Sequence, residues 1–153
     1  MLSLAALPGA AMAASPATTT FQVTATVVAA CTVSASPLAF TDYDPTAASP
    51  TDGQTTMSVT CTNGAGYTIG LGAGMGTGAS TTTRKMTSGL NTLNYSLYKT
   101  NAYSTVWGDA GGELVSAIGS GAAQNYTVYG RVPTAQTAPA GSYADTITVT
   151  VTF

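Results

Sequence analysis

The chain has 153 residues, 44% of them hydrophobic and only 7% charged, with a net charge of −2 and no histidine; this is enough chain and apolar content for one domain with a real core. Its four basic residues, Arg84, Lys85, Lys99 and Arg131, cannot build the cationic stripe that nucleic acid or an anionic membrane surface demands, so neither partner is expected. Without histidine, and with two cysteines, the commonest general base and a four-ligand structural zinc site are excluded, and no catalytic residue, metal or cofactor is expected.

Residues 1–14 form an apolar stretch ending in Ala11-Met12-Ala13, an A-x-A cleavage pattern. They are read as part of a signal peptide, with cleavage near Ala13. Pro8 and Gly9 interrupt any helix, and the stretch is too short to span a bilayer. The chain is expected to begin inside its signal peptide, because no Lys or Arg precedes Arg84. A polar tail, Ser15 to Thr20, follows. Then comes a run with period two: Phe21, Val23, Ala25 and Val27 alternate with Gln22, Thr24 and Thr26, the pattern of a half-buried strand.

Cys31 and Cys61 each sit in a strand-like context, Ala30-Cys31-Thr32-Val33 and Val59-Thr60-Cys61-Thr62. In an exported protein two cysteines ordinarily pair, and the bridge would pin two strands together. Further alternating runs follow: Met57, Val59 and Cys61; Tyr67, Ile69 and Leu71; Leu93, Tyr95 and Leu97; Tyr126, Val128 and Val132, with Tyr129 and Arg131 opposite; and Ile147, Val149, Val151 and Phe153. Turn-formers separate them at Asp42-Tyr43-Asp44-Pro45, Asp52-Gly53, Asn63-Gly64, Gly72–Gly78, Gly108–Gly112 and Pro139-Ala140-Gly141. Gly72–Thr83 reads as a flexible loop. No segment carries a 3.6-residue apolar period. Many short strands rich in Thr and Val, each with one apolar face, predict an all-β antiparallel sandwich.

Both ends of the chain are strand-like. The run Tyr143–Phe153 ends the chain while still alternating. The run Phe21–Val27 has two readings that periodicity does not separate. It pairs within its own domain, or it pairs with another chain whose sandwich lacks a strand, filling a groove with main-chain hydrogen bonds and alternate side chains.

The ordered set of segments Phe21–Val27, Cys31-Thr32-Val33, Met57–Thr62, Leu93–Tyr98, Tyr126–Pro133 and Gly141–Phe153 resembles the spore coat protein U domain, which is shared with the major pilins of archaic chaperone–usher pili. The likeness runs from about Ala17 to Phe153. It implies an immunoglobulin-like antiparallel β-sandwich that is incomplete, missing its last strand, with residues 15–29 as a donor-strand extension and 30–153 as the sandwich. It implies that Phe21, Val23, Ala25 and Val27 are donor side chains, although Ala25 is small where a strong donor carries a larger group. Cys31–Cys61 becomes the structural disulfide. Ile147, Val149, Val151 and Phe153 become the strand docked on a periplasmic chaperone, with the terminal carboxylate near its basic residues. The implied partners are identical or related pilin subunits, that chaperone and an outer-membrane usher. The implied location is a cell-surface fibre reached through the periplasm.

Other constellations point to ordinary structure. Asp42, Asp44 and Asp52 lack the spacing and final Glu of a calcium loop and read as turn chemistry. Glu113 is the sole glutamate, so a glutamate pair for glycoside hydrolysis is absent, and its Gly-rich context reads as a turn. Trp107 and the scattered tyrosines read as core or interface before a sugar platform. The two sequon matches, at Asn94 and Asn125, fall inside strands. The function expected is therefore a non-enzymatic, exported subunit that polymerises by donor-strand complementation and supports adhesion or biofilm. The alternatives are a self-complemented monomeric coat protein and a carbohydrate-binding sandwich.

Overall fold

The computed structural model describes residues 5, 9 and 13–153. Apart from residues 5, 9, 13 and 14, the signal segment 1–14 lies outside the described residues, as do Ala11 and Met12 of its cleavage motif.

Among the described residues, eight strands follow in chain order: β1 (Cys31–Ala35), β2 (Thr51–Cys61), β3 (Gly66–Leu71), β4 (Arg84–Ser88), β5 (Asn91–Tyr98), β6 (Val115–Ile118), β7 (Gln124–Val132) and β8 (Val149–Thr152). One sheet has the order β1-β2-β7-β5-β4 and the other β6-β3-β8. Every pairing between named strands is antiparallel. The fold class is therefore all-β with two facing antiparallel sheets, as the alternation predicts.

The apolar side chains of the alternating runs meet between the sheets. Met57, Val59 and Cys61 of β2, Tyr67, Ile69 and Leu71 of β3, Leu93, Tyr95 and Leu97 of β5, and Val128 and Val132 of β7 are all buried. The period of two puts every second residue of a strand on this inner face, so the sequence dictates which face closes. Trp107 joins the core from the loop after β5. Its indole N–H donates to the Ile69 carbonyl at 3.1 Å, and its ring meets Tyr126 edge-on. Burying an indole requires a partner for its N–H, and the β3 backbone supplies it.

Arg84, the first residue of β4, is fully buried. Its guanidinium donates to the carbonyls of Gly72, Thr81, Leu71 and Trp107 at 2.6–2.8 Å. Burial pulls its pKa below the ordinary value, while Tyr95, Asp109, Glu113 and Asp145 act the other way. Carbonyl oxygens thus satisfy the cation in place of a contacting carboxylate.

Several expectations need correction. Asp52-Gly53 is not a turn but part of β2, because Asp52 meets Arg131 across the β2–β7 ladder and Gly53 stands opposite Gly130. Residues 21–27 form no strand; a strand needs a partner, and among the described residues no strand edge takes them up. The C-terminal strand is shorter than the run 143–153, and Phe153 lies outside it. Its leading part changes partners: Ala144 bridges Thr87 of β4, the Thr148 carbonyl accepts from Gly72 N–H, and only Val149–Thr152 ladders with β3. Gly72–Thr83 is a loop, but Arg84 ties it at Gly72 and Thr81 and Asp145 ties it at Met75.

A candidate assembly groove

β1 and β8 are rim strands, one in each sheet. Next to the Ala35 end of β1 and the Val149 end of β8, a groove of about 980 Å³ opens. One wall is the chain that follows β1, residues 35–43; the other is the stretch 143–149 that leads into β8. The floor is the apolar interior, including Met57, Leu71, Leu97 and Val128. These floor residues are almost fully buried.

The first wall leaves the sheet after a last backbone bond from Ser36 N–H to the Thr56 carbonyl. From Leu38 to Tyr43 the backbone makes no main-chain hydrogen bond among the described residues. Leu38, Phe40 and Tyr43 turn inward onto the core, and the Tyr43 hydroxyl accepts from the Gln136 N–H at 2.9 Å. A run of unpaired N–H and C=O groups beside an apolar slot is the template that an added strand uses.

Tyr143, Ile147 and Val149 of the second wall, and Val151 beyond it, are half-buried and alternate with exposed neighbours. Asp145 points inward among them. Its carboxylate accepts from Met75 N–H, Thr146 N–H and the Tyr95 hydroxyl at 2.7–2.8 Å. Gly74, at φ +87°, leaves the space that this carboxylate occupies, which a Cβ would fill. Burial, with the Asp145 contact second, pushes the Tyr95 phenol far above its usual pKa. It therefore stays a hydrogen-bond donor.

The structure places the predicted site residues as follows. Phe21, Val23 and Val27 are exposed at 86%, 81% and 83%, and Ala25 is exposed with them. They touch neither sheet. Among the described residues, the extension is hydrogen-bonded to the domain where it ends. There Thr62 N–H donates to the Ala30 carbonyl at 2.9 Å, and Ala30 N–H donates to Thr62 Oγ1 at 3.0 Å. It thus leaves from the Cys31 end of β1, whereas the groove wall starts at the Ala35 end. Cys31 and Cys61 are bonded and directly opposite in the β1–β2 register. Ile147 and Val149 line the groove; Val151 packs on the core beyond it, and Phe153 is 56% exposed. Sequence reasoning missed the other wall, Leu38 to Tyr43. Its two-step alternation, Leu38-x-Phe40, is too short to stand out.

Elsewhere, on the outer face of the larger sheet, Arg131 donates to Asp52 through Nε and Nη2 at 2.6 and 2.8 Å. Its guanidinium carbon lies 3.7 Å from the centroid of Tyr103, and Tyr103 meets Tyr98 and Tyr129 edge-on. Hydrogen bonding from Arg131 lowers the pKa of Asp52, and the same bond raises that of Arg131.

Comparison with known proteins gives a consistent picture. The family model described as Spore Coat Protein U domain matches residues 17–150. Protein U of Myxococcus xanthus is 35% identical over 107 residues, 66% of this chain and 60% of that protein. A chain in the crystal structure of the CsuC-CsuE chaperone-tip adhesion subunit pre-assembly complex, from archaic chaperone-usher Csu pili of Acinetobacter baumannii, superposes with a TM-score of 0.63. It is 27% identical, and the match covers 84% of this chain and 41% of that one. The matches therefore span less than two thirds of either relative's own length. With a family match that takes in the groove, both cysteines and nearly the whole sandwich, the chain belongs to the spore coat protein U domain family.

Proposed function

We propose that this chain is an exported structural subunit of a surface pilus or coat fibre, and that it polymerises by donor-strand complementation. Phe21, Val23, Ala25 and Val27 of one copy enter the groove of the next. The observation that carries this reading is the pairing, in one chain, of an exposed apolar alternating segment with an open apolar groove. Burying these side chains contributes about 1–2 kcal/mol each, least for Ala25. Main-chain bonds to the unpaired wall add to that.

The chain's own extension leaves the domain at the end of β1 away from the groove, which suits a neighbour's groove better than its own. This weighs against a self-complemented monomer. Trp107 is core rather than surface, which weighs against a carbohydrate module built on it. The partners are further pilin subunits, a periplasmic chaperone that covers the groove before assembly, with Ile147, Val149, Val151 and Phe153 on its side, and an outer-membrane usher. The likeness to a chain of a chaperone–subunit pre-assembly complex supports that set. Export through the periplasm to the cell surface, and a role in adhesion or biofilm, follow from the same reading.

Deletion of residues 15–28 tests it. The parent should give a ladder of oligomers that survives mild detergent. The deletion variant should give none, and a peptide of residues 15–28 should bind it. A deletion variant that polymerises like the parent would refute the donor assignment.

A further inference from the structure

We infer that Gly53 and Gly130 set the width of the groove by letting its first wall lie flat on the sheet. This rests on the groove being a strand-binding site. The two glycines face each other across the β2–β7 ladder, and Gly130 is flanked on its other side by Leu97 of β5. Gly130 falls between Val128 and Val132 on the inward face of β7, and Gly53 falls on the matching face of β2. Together they make a patch of the inner sheet surface without side chains.

Leu38 and Phe40 occupy that patch. A Cβ at Gly130 would lie 2.7 Å from Phe40 Cζ and 3.0 Å from Leu38 Cδ1. At Gly53 it would lie 3.1 Å from Phe40 Cδ1 and 3.2 Å from the Ala39 carbonyl oxygen. Neither glycine has a positive φ, so backbone freedom is not what they supply; they supply room. Glycine inside a strand weakens it, and it marks places where another segment comes close. Phe40 then reaches the Tyr95 ring edge-on at 6.1 Å, and Tyr95 holds Asp145 of the far wall. A methyl group under Phe40 would force that ring to shift, and a shift off the sheet carries it into the cleft between the walls. The glycines are therefore positioning residues for strand uptake, acting through Phe40.

The test uses the full-length chain, disulfide intact, refolded with a fluorescent peptide of residues 15–28. Uptake is read as label co-eluting with protein, and fold as far-ultraviolet circular dichroism. Gly130→Ala is expected to lower uptake by about tenfold with a native spectrum, the scale of an overpacked contact. Adding Phe40→Ala to it should restore uptake. Native-like Gly130→Ala protein that takes up peptide as well as the parent overturns the inference and leaves the assembly reading intact. A parent that takes up no peptide fails the assembly reading itself. Should Gly130→Ala not fold, Phe40→Ala alone decides. Against the native peptide, it should raise relative uptake of at least one of the Val23→Phe, Ala25→Leu and Val27→Leu peptides about tenfold; unchanged preferences refute the inference.

Discussion

The Tyr95 hydroxyl donates a 2.8 Å hydrogen bond to Asp145 Oδ2, joining the floor of the groove to its C-terminal wall across 50 positions of sequence. A hydrogen bond to a charged acceptor in a part-buried place is among the stronger kinds. Tyr95→Phe keeps the ring and removes the bond. It is expected to cost about 1.5–3 kcal/mol of stability, read from urea denaturation. Asp145→Ala should cost more, since it also strips Met75 and Thr146 of their acceptor.

Arg84 supports a sharper prediction. Its planar fork reaches four carbonyls at once, which a lysine ammonium on a flexible stem does not reproduce. Arg84→Lys should destabilise by about 3–5 kcal/mol, as when a buried charge loses its partners. Arg84→Met should leave carbonyls of β3, the following loop and Trp107 without donors. Thermal unfolding of both variants beside the parent checks this.

The disulfide closes a loop with a sequence separation of 30. In the chain-entropy account this contributes about 3–4 kcal/mol. The double variant Cys31→Ala with Cys61→Ala should lose that amount in urea. Reductant should produce the same loss in the parent and none in the variant.

Acid should weaken the fold through Asp52. Its folded pKa lies below the ordinary 3.8, chiefly because Arg131 donates to it. The associated stability is present above the ordinary pKa and is lost as pH falls through the lowered one. Both side chains are about a third exposed, so the pair contributes less than about 1 kcal/mol. Asp52→Asn should change stability little at pH 7 and flatten its decline below pH 4. A decline as steep as the parent's would show that other carboxylates carry it.

Val23→Asp probes assembly without touching the core. Val23 is exposed in the single chain, so melting of the monomer should be unchanged. Placing a carboxylate in an apolar slot is costly. The detergent-resistant ladder should disappear, as judged by electrophoresis without heating.

The inner faces of the sheets could be read from the residues, because Met57–Cys61, Tyr67–Leu71 and Leu93–Leu97 alternate cleanly and each run is half-buried. β4 and β6 escaped notice. β4 opens on Arg84-Lys85, charges that read as surface until the buried guanidinium is seen among carbonyls. β6, Val115–Ile118, is only four residues long, too brief for a period to register. Asp52-Gly53 misled for a physical reason: the pair is common in turns, but here the glycine makes space and the aspartate meets Arg131. The resemblance named the all-β sandwich and the family correctly. The groove needed three dimensions, since its walls lie a hundred positions apart and Leu38 to Tyr43 belongs to no strand.

The bond from Cys31 to Cys61 sits where the free tail joins the sandwich. Tension on that tail passes the Ala30–Thr62 hydrogen bonds and then meets Cys31, the first residue of a rim strand, which would otherwise come away one hydrogen bond at a time like a zip. The covalent link hands the load straight to β2, which has a laddered neighbour on each side. Peeling is replaced by shear across the sheet, so a string of such domains under drag would resist fraying at its junctions for as long as its sulfurs stay oxidised.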